Sequence, residues 1–191
     1  MEPDERIGRP PPVARDAVPP EPTGEARPAL DVRRAQTVAL DLLARKSWTR
    51  HDLAARLRRR GAPPDIANAV VADLEARGYV DDRAFAAVWA ESRARSRSFG
   101  RQRLQEELRA RGVARPLVEA ALAYAFEETT ELARAQAVGA RRLAMLRRRT
   151  PDQAPRRLHD YLRRRGYPTD VVRQVLRTLC RDGWAEELTE P

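Results

Sequence analysis

The sequence predicts an all-α fold, an elongated tandem array of three three-helix repeats, and three observations carry that reading. First, the cadence Leu-x-x-x-Leu-x-x-x-Gly occurs at Leu53/Leu57/Gly61, Leu104/Leu108/Gly112 and Leu158/Leu162/Gly166, with the glycines 51 and then 54 residues apart. A period of that size marks stacked supersecondary units. Second, from Asp31 onward apolar residues recur three and four positions apart, and no stretch shows the two-residue alternation of a strand. Third, arginines crowd the last turn before each glycine, and an aliphatic residue follows five positions after it, at Ile66, Leu117 and Val171. So short a unit buries little surface alone, and neighbouring units are expected to lean on one another and share apolar surface.

The chain divides into a proline-rich tail over residues 1–29 and repeats over 30–81, 82–128 and 129–191. The tail holds eight of the fifteen prolines, almost no large apolar residues and a charge of −2, the composition of a disordered segment. In repeat one, Asp31 caps a helix whose stripe is Ala35, Val38, Ala39, Leu42 and Leu43. Thr49-Arg50-His51-Asp52 reads as a capping box opening a second helix with Leu53 and Leu57 inward. Gly61 ends that helix, Pro63 and Pro64 set the turn, and a third helix turns Ile66, Ala69, Val70 and Leu74 inward until Gly78.

Repeat two follows the same plan, with Asp81 or Asp82 as the cap and Phe85, Val88 and Trp89 as the first stripe. Phe99 lies five residues before Leu104, as Trp48 lies five before Leu53, and both read as aromatic plugs between helices. Its third helix starts near Pro116 and buries Leu117, Ala121, Leu122 and Ala125. Tyr79 and Phe85 are expected in the core of the joint between repeats one and two. Repeat three opens with a longer helix, from about Thr130 to Arg149, carrying Leu132, Ala135, Val138, Leu143 and Leu146. Pro151 and Pro155 compete to open the next helix. The last helix turns Val171, Val175 and Leu179 inward, with Cys180 as a small packing residue beside them.

Thirty-seven basic residues against 28 acidic ones give a charge of +9, and without the tail the remainder carries +11. Partners are therefore expected to be anionic. Lys46 is the sole lysine, so nearly all the positive charge is arginine, whose planar fork suits phosphates, carboxylates and aromatic faces. The single cysteine forms no intramolecular disulfide, no 18-residue apolar run exists, and the N-terminus lacks a signal pattern. A cytoplasmic monomer with no membrane association and no cofactor is expected.

Catalytic signatures are missing: there is no phosphate loop, nucleophile turn, His-Glu-x-x-His or paired-cysteine spacing. His51 and His159 fall at non-equivalent positions and read as ordinary side chains. The arginines hold the information. Arg58, Arg59 and Arg60 precede Gly61, Arg109 and Arg111 precede Gly112, and Arg163, Arg164 and Arg165 precede Gly166. One cation per helix end would satisfy the macrodipole. Three in succession, about 100° apart, must send at least one away from the body. With Arg50, Arg56, Arg101, Arg103, Arg156 and Arg157 added, the middle helices form a row of positive surfaces suited to a long, charged, repetitive partner.

The segments Leu74-Glu-Ala-Arg-Gly78-Tyr79-Val80-Asp81-Asp82-Arg-Ala-Phe85-Ala86, Phe99-Gly100-x-x-x-Leu104-x-x-Glu107-Leu108-x-x-x-Gly112-Val113 and Tyr161-Leu162-x-x-Arg165-Gly166-Tyr167 resemble the RecX regulatory proteins of bacteria. The resemblance runs from about Gln36 to Leu179. It implies a noncatalytic modulator of the RecA recombinase, built of three-helix units and lying in the groove of the RecA–DNA filament, with RecA and DNA phosphate as partners. By spanning neighbouring subunits it would limit ATP hydrolysis, strand exchange and repressor cleavage in recombination and the SOS response.

Each unit also follows the helix-turn-helix plan, which admits an independent DNA-binding repressor as the alternative. The third helices are poor readers of base edges, however: Ile66-Ala67-Asn68-Ala69-Val70 and Leu117-Val118-Glu119-Ala120-Ala121 offer few donors. An adaptor working through Pro10, Pro11 and Pro12 is a third reading.

Overall fold

The computed structural model describes residues 29–180, so the proline-rich segment and its three adjacent prolines lie outside the described residues. Among the described residues every regular element is helical. Repeat one is α1 (Val32–Leu43), α2 (Arg50–Arg59) and α3 (Pro64–Ala76); repeat two is α4 (Asp82–Ser96), α5 (Arg101–Ala110) and α6 (Arg115–Ala125). Repeat three is α7 (Glu131–Arg149), α8 (Ala154–Arg164) and α9 (Thr169–Leu179), with a 3₁₀ turn over Pro151–Gln153 before α8. Both prolines in that region are used: Pro151 opens the turn and Pro155 sits in the first turn of α8.

The helix starts follow the capping chemistry of their sequences. Asp31 accepts from the Arg34 N–H, Asp81 from those of Arg83 and Ala84, and Thr130 from that of Ala133. Thr49 accepts from the Asp52 N–H, which is half of the expected capping box. The other half is absent because the Asp52 carboxylate turns away to Arg111 of the next repeat.

Each repeat has its own apolar core. The cadence leucines Leu53, Leu57, Leu104, Leu108, Leu158 and Leu162 are completely buried, two in each of three separate clusters. This corrects the expectation of apolar surface shared between units. The joints between them include main-chain hydrogen bonds, the ion pairs Arg111–Asp52 and Arg101–Glu131, and the guanidinium–aromatic contacts of Arg165 with Phe99 and Arg134 with Phe126.

Several inward faces lie one position away from those the sequence suggests. On α4 the buried face is Ala86, Ala90 and Ala94, with Phe85 and Trp89 at its margin and Val88 66% exposed. Small side chains let α4 pack closely on α6, so the larger residues flank the contact. On α3, Ala67 is buried and Ala69 exposed; on α9, Val172 and Leu176 join Val175, while Val171 and Leu179 are partly buried. Tyr79, expected in the core, is 53% exposed beneath the Arg77 guanidinium, and Val80 is buried in its place.

Candidate functional site

The register of the three middle helices organises the surface. Gly61, Gly112 and Gly166 each follow the last turn of α2, α5 and α8 with positive φ, the left-handed conformation that stops a helix. The start of each middle helix then receives the end of the next one. In the first joint, the Thr49 hydroxyl donates to the Arg111 carbonyl at 2.8 Å, and the Gly112 backbone lies flat on the His51 side chain. In the second, the Gly100 N–H donates to the Arg165 carbonyl at 2.8 Å and the Gln102 N–H to the Gly166 carbonyl at 3.1 Å. The last carbonyls of α8 thus meet the first N–H groups of α5, and those of α5 meet the start of α2. Each junction brings the carbonyls at one helix end to donors at the start of another helix, where the two dipole ends are opposite in sign.

An acidic residue from the first helix of the following repeat completes each junction. Asp82 accepts from the Arg50 N–H at 2.9 Å, and Glu131 accepts from the Arg101 N–H at 2.6 Å. Burial raises the Glu131 carboxyl above its ordinary range, opposed by the Arg101 N–H and guanidinium. At the same register in repeat three stands Pro155, which has no N–H to offer. At the other end, the Leu30 N–H takes the Gly61 carbonyl at 3.0 Å, as Gln102 takes that of Gly166.

These junctions divide the sequence-expected arginines. Arg111 is held by Asp52 at 2.8 Å and lies over Trp89 at 4.0 Å; Arg165 lies over Tyr161 at 4.9 Å and Phe99 at 5.9 Å and donates to the Arg97 carbonyl. Arg101 pairs with Glu131 and covers Phe126, Arg103 pairs with Glu107 beside Phe99, and Arg50 pairs with Glu75. Arg56 is turned inward, its Nε buried without an acceptor among the described residues. These six side chains serve the fold at least as much as any partner.

The remainder point outward. Arg58, Arg59, Arg60, Arg109, Arg156 and Arg164 are exposed and make no ion pair among the described residues. Arg157 and Arg163 are also exposed and donate only to uncharged acceptors, the Gln153 amide and the Tyr167 carbonyl. Arg58, Arg109 and Arg163 occupy one register position in the three repeats, so each repeat contributes one equivalent cation. Sequence reasoning left out the run Arg147–Arg149 at the end of α7, which gave the same signal of three arginines before a helix end but lacked the glycine.

The third helices carry less charge on their open faces. On α3 the exposed residues include Asp65, Asn68, Ala69, Ala72 and Asp73, a surface unsuited to phosphate or base edges. Only α9 presents a donor-rich face, with Arg173, Gln174 and Arg177 exposed. No group of His, Cys, Asp and Glu among the described residues is placed to hold a metal, and no described helix is long and apolar enough to cross a membrane.

Comparison with known proteins gives a consistent result. Family models described as the first, second and third three-helix domains of RecX match residues 35–74, 81–122 and 129–176. A relative from Thermobifida fusca (strain YX), named Regulatory protein RecX, is 38% identical over 159 residues, covering 82% of this chain and 84% of that protein. A protein of the same name from Streptomyces coelicolor is 36% identical over 146 residues, covering 76% and 77% respectively. The crystal structure of RecX from Lactobacillus salivarius superposes with a TM-score of 0.67 at 13% identity, covering 78% of this chain and 97% of that one. At that identity the structural likeness speaks for the fold alone.

Proposed function

The chain belongs to the RecX family of regulatory proteins, and from that premise we propose that it is a noncatalytic regulator acting in the cytoplasm, lying along the groove of the RecA–DNA filament and restraining RecA activities. ATP hydrolysis, strand exchange and repressor cleavage would all slow when neighbouring filament subunits are held in one relative orientation. The observation that carries this reading is the repeated head-to-tail junction. It sets three basic helices in series and leaves Arg58, Arg109 and Arg163 exposed at one register, without an ion pair among the described residues. Linked weak contacts of this kind multiply through effective concentration, which suits a periodic anionic partner.

The arginines assigned to contact are Arg58, Arg59, Arg60, Arg109, Arg156, Arg157, Arg163 and Arg164. Those locked in the junctions set the spacing of the row. The full chain should co-sediment with RecA–single-stranded DNA filaments and depress their ATP hydrolysis, and an absence of effect at stoichiometric ratios would reject the proposal. Reversing Arg58, Arg59 and Arg60 to Glu should weaken filament binding by about tenfold or more with helicity by circular dichroism unchanged. Tight, sequence-dependent binding to naked duplex DNA would instead favour the repressor reading.

A further inference from the structure

At the corner between α7 and the start of α8 lies a cleft of about 440 Å³ lined by Arg142, Arg148, Arg149, Arg157, Thr150 and Met145, with no carboxylate in its wall. Its volume falls within the roughly 300–1,000 Å³ typical of ligand sites. Four arginines line it, and none of them makes an ion pair among the described residues. A helix C-terminus accommodates one or two cations through its dipole, and the end of α7 already has Arg147, which donates to the Leu179 carbonyl.

Two buried polar atoms at this cleft have no partner among the described residues: the Thr150 hydroxyl and the Arg142 Nε. Buried donors are rarely left unpaired, and two beside one cleft point to an acceptor that arrives from outside. Arg142 is also held in place, its guanidinium lying 5.2 Å from the centre of the Tyr161 ring. A hydroxyl donor, a stacked guanidinium and two exposed ones match the tetrahedral oxyanion of a phosphoryl group, which takes several donors and pairs with arginine forks.

We propose that the α7–α8 corner is a phosphate-binding site for the backbone of single-stranded nucleic acid. Arg142 and Thr150 receive one phosphodiester, and Arg148 and Arg149 engage that group and its neighbour. The strand is favoured over a free phosphate ion because the cleft is larger than one phosphate requires and the exposed arginines extend its charge outward. The site rests on the filament reading in taking nucleic acid as its partner and shares Arg157 with the row assigned there, but it is tested without RecA.

The test is fluorescence anisotropy of a labelled single-stranded thymidine oligonucleotide with the full chain, across a range of salt concentrations. The R148Q/R149Q double variant should weaken binding by about tenfold at low salt and lower the log–log salt slope by about 1.4, as removal of two single-strand phosphate contacts requires. The charge-matched variant R33Q/R34Q, on the exposed face of α1, should leave the slope unchanged. Thr150→Val should weaken binding several-fold while the free protein melts no lower than the parent, because it removes a hydroxyl that has no partner. Equal losses in the two double variants would reduce the site to diffuse charge and overturn the proposal. So would unaltered oligonucleotide binding in Thr150→Val and R148Q/R149Q alongside a pyrophosphate-induced rise in melting temperature that these variants lose, which would mark a free-phosphate site. Displacement of the oligonucleotide by a poly-glutamate peptide as readily as by unlabelled strand would overturn it in favour of a carboxylate partner.

Discussion

The two joints of the array occupy the same register and use different chemistry. Between repeats one and two, side chains make the contact: the Thr49 hydroxyl, the His51 side chain against Gly112 and the Arg111–Asp52 pair over Trp89. Between repeats two and three, main chain meets main chain, with Gly100 and Gly166 face to face and Arg165 laid across Phe99 and Tyr161. What the two retain is the head-to-tail meeting of helix ends and an acid from the next repeat on the first-turn N–H. The same register is therefore met by two chemistries, side chains at the first joint and main chain at the second.

The comparison breaks most sharply at the glycines. A Cβ on Gly166 would lie closer than 3.0 Å to the Arg103 backbone, and its φ of +80° adds strain. Gly166→Ala should cost on the order of 3 kcal/mol or more, combining overpacking with a left-handed alanine. At Gly112 the nearest obstacle is the His51 Cβ, which is fixed to its own backbone, and φ is again positive, so Gly112→Ala should cost nearly as much, about 3 kcal/mol. Gly78→Ala is the control, with positive φ but open space around it, and should cost about 1 kcal/mol. Urea denaturation followed by circular dichroism ranks the three. A Gly166→Ala loss no greater than that of Gly78→Ala would mean that the main-chain seam does not couple the repeats.

The sequence displays the repeats plainly and the joints hardly at all, for physical reasons. Leucines at helical spacing before a left-handed glycine announce a buried face and its end, so α2, α5 and α8 are read directly. On α4 the contrast fails: alanines carry little hydrophobic signal, and Phe85, Val88 and Trp89 outweigh the Ala86, Ala90 and Ala94 that actually pack. The joints pair residues such as Thr49 with Arg111 and Arg97 with Arg165, 62 and 68 positions apart, and no local pattern encodes such partners. Arg60, Arg111 and Arg165 are equivalent in sequence. Yet Arg60 is exposed, while Arg111 reaches Asp52 and Arg165 reaches Phe99 in the preceding repeat.

Arg111 and Arg165 sharpen the contrast at intermediate magnitude. Arg111→Gln removes an ion pair and a cation over Trp89, and Arg165→Gln removes a cation stacked on two rings without a carboxylate partner. Each should destabilise by about 1 kcal/mol at low salt. Added salt should shrink the Arg111→Gln penalty, which is partly coulombic, and leave the Arg165→Gln penalty largely unchanged. Identical salt dependence of the two would argue that the joints are held by the same force.

The smallest effect concerns the acid at the second joint and has a definite sign. Burial raises the Glu131 carboxyl above its ordinary 4.5, so the folded chain binds that proton more readily than the unfolded one. Its contribution to stability is then complete below the ordinary pKa and lost as pH rises through the raised folded value. A glutamine side chain in place of Glu131 would keep an oxygen to accept from the Arg101 N–H without a buried charge. Glu131→Gln should accordingly be as stable as the parent or more stable at pH 7, and the difference should close on acidification below about pH 4.5. A variant clearly less stable at pH 7 would show that the Arg101 ion pair outweighs burial, which would bring the second joint closer to the charge-held chemistry of the first.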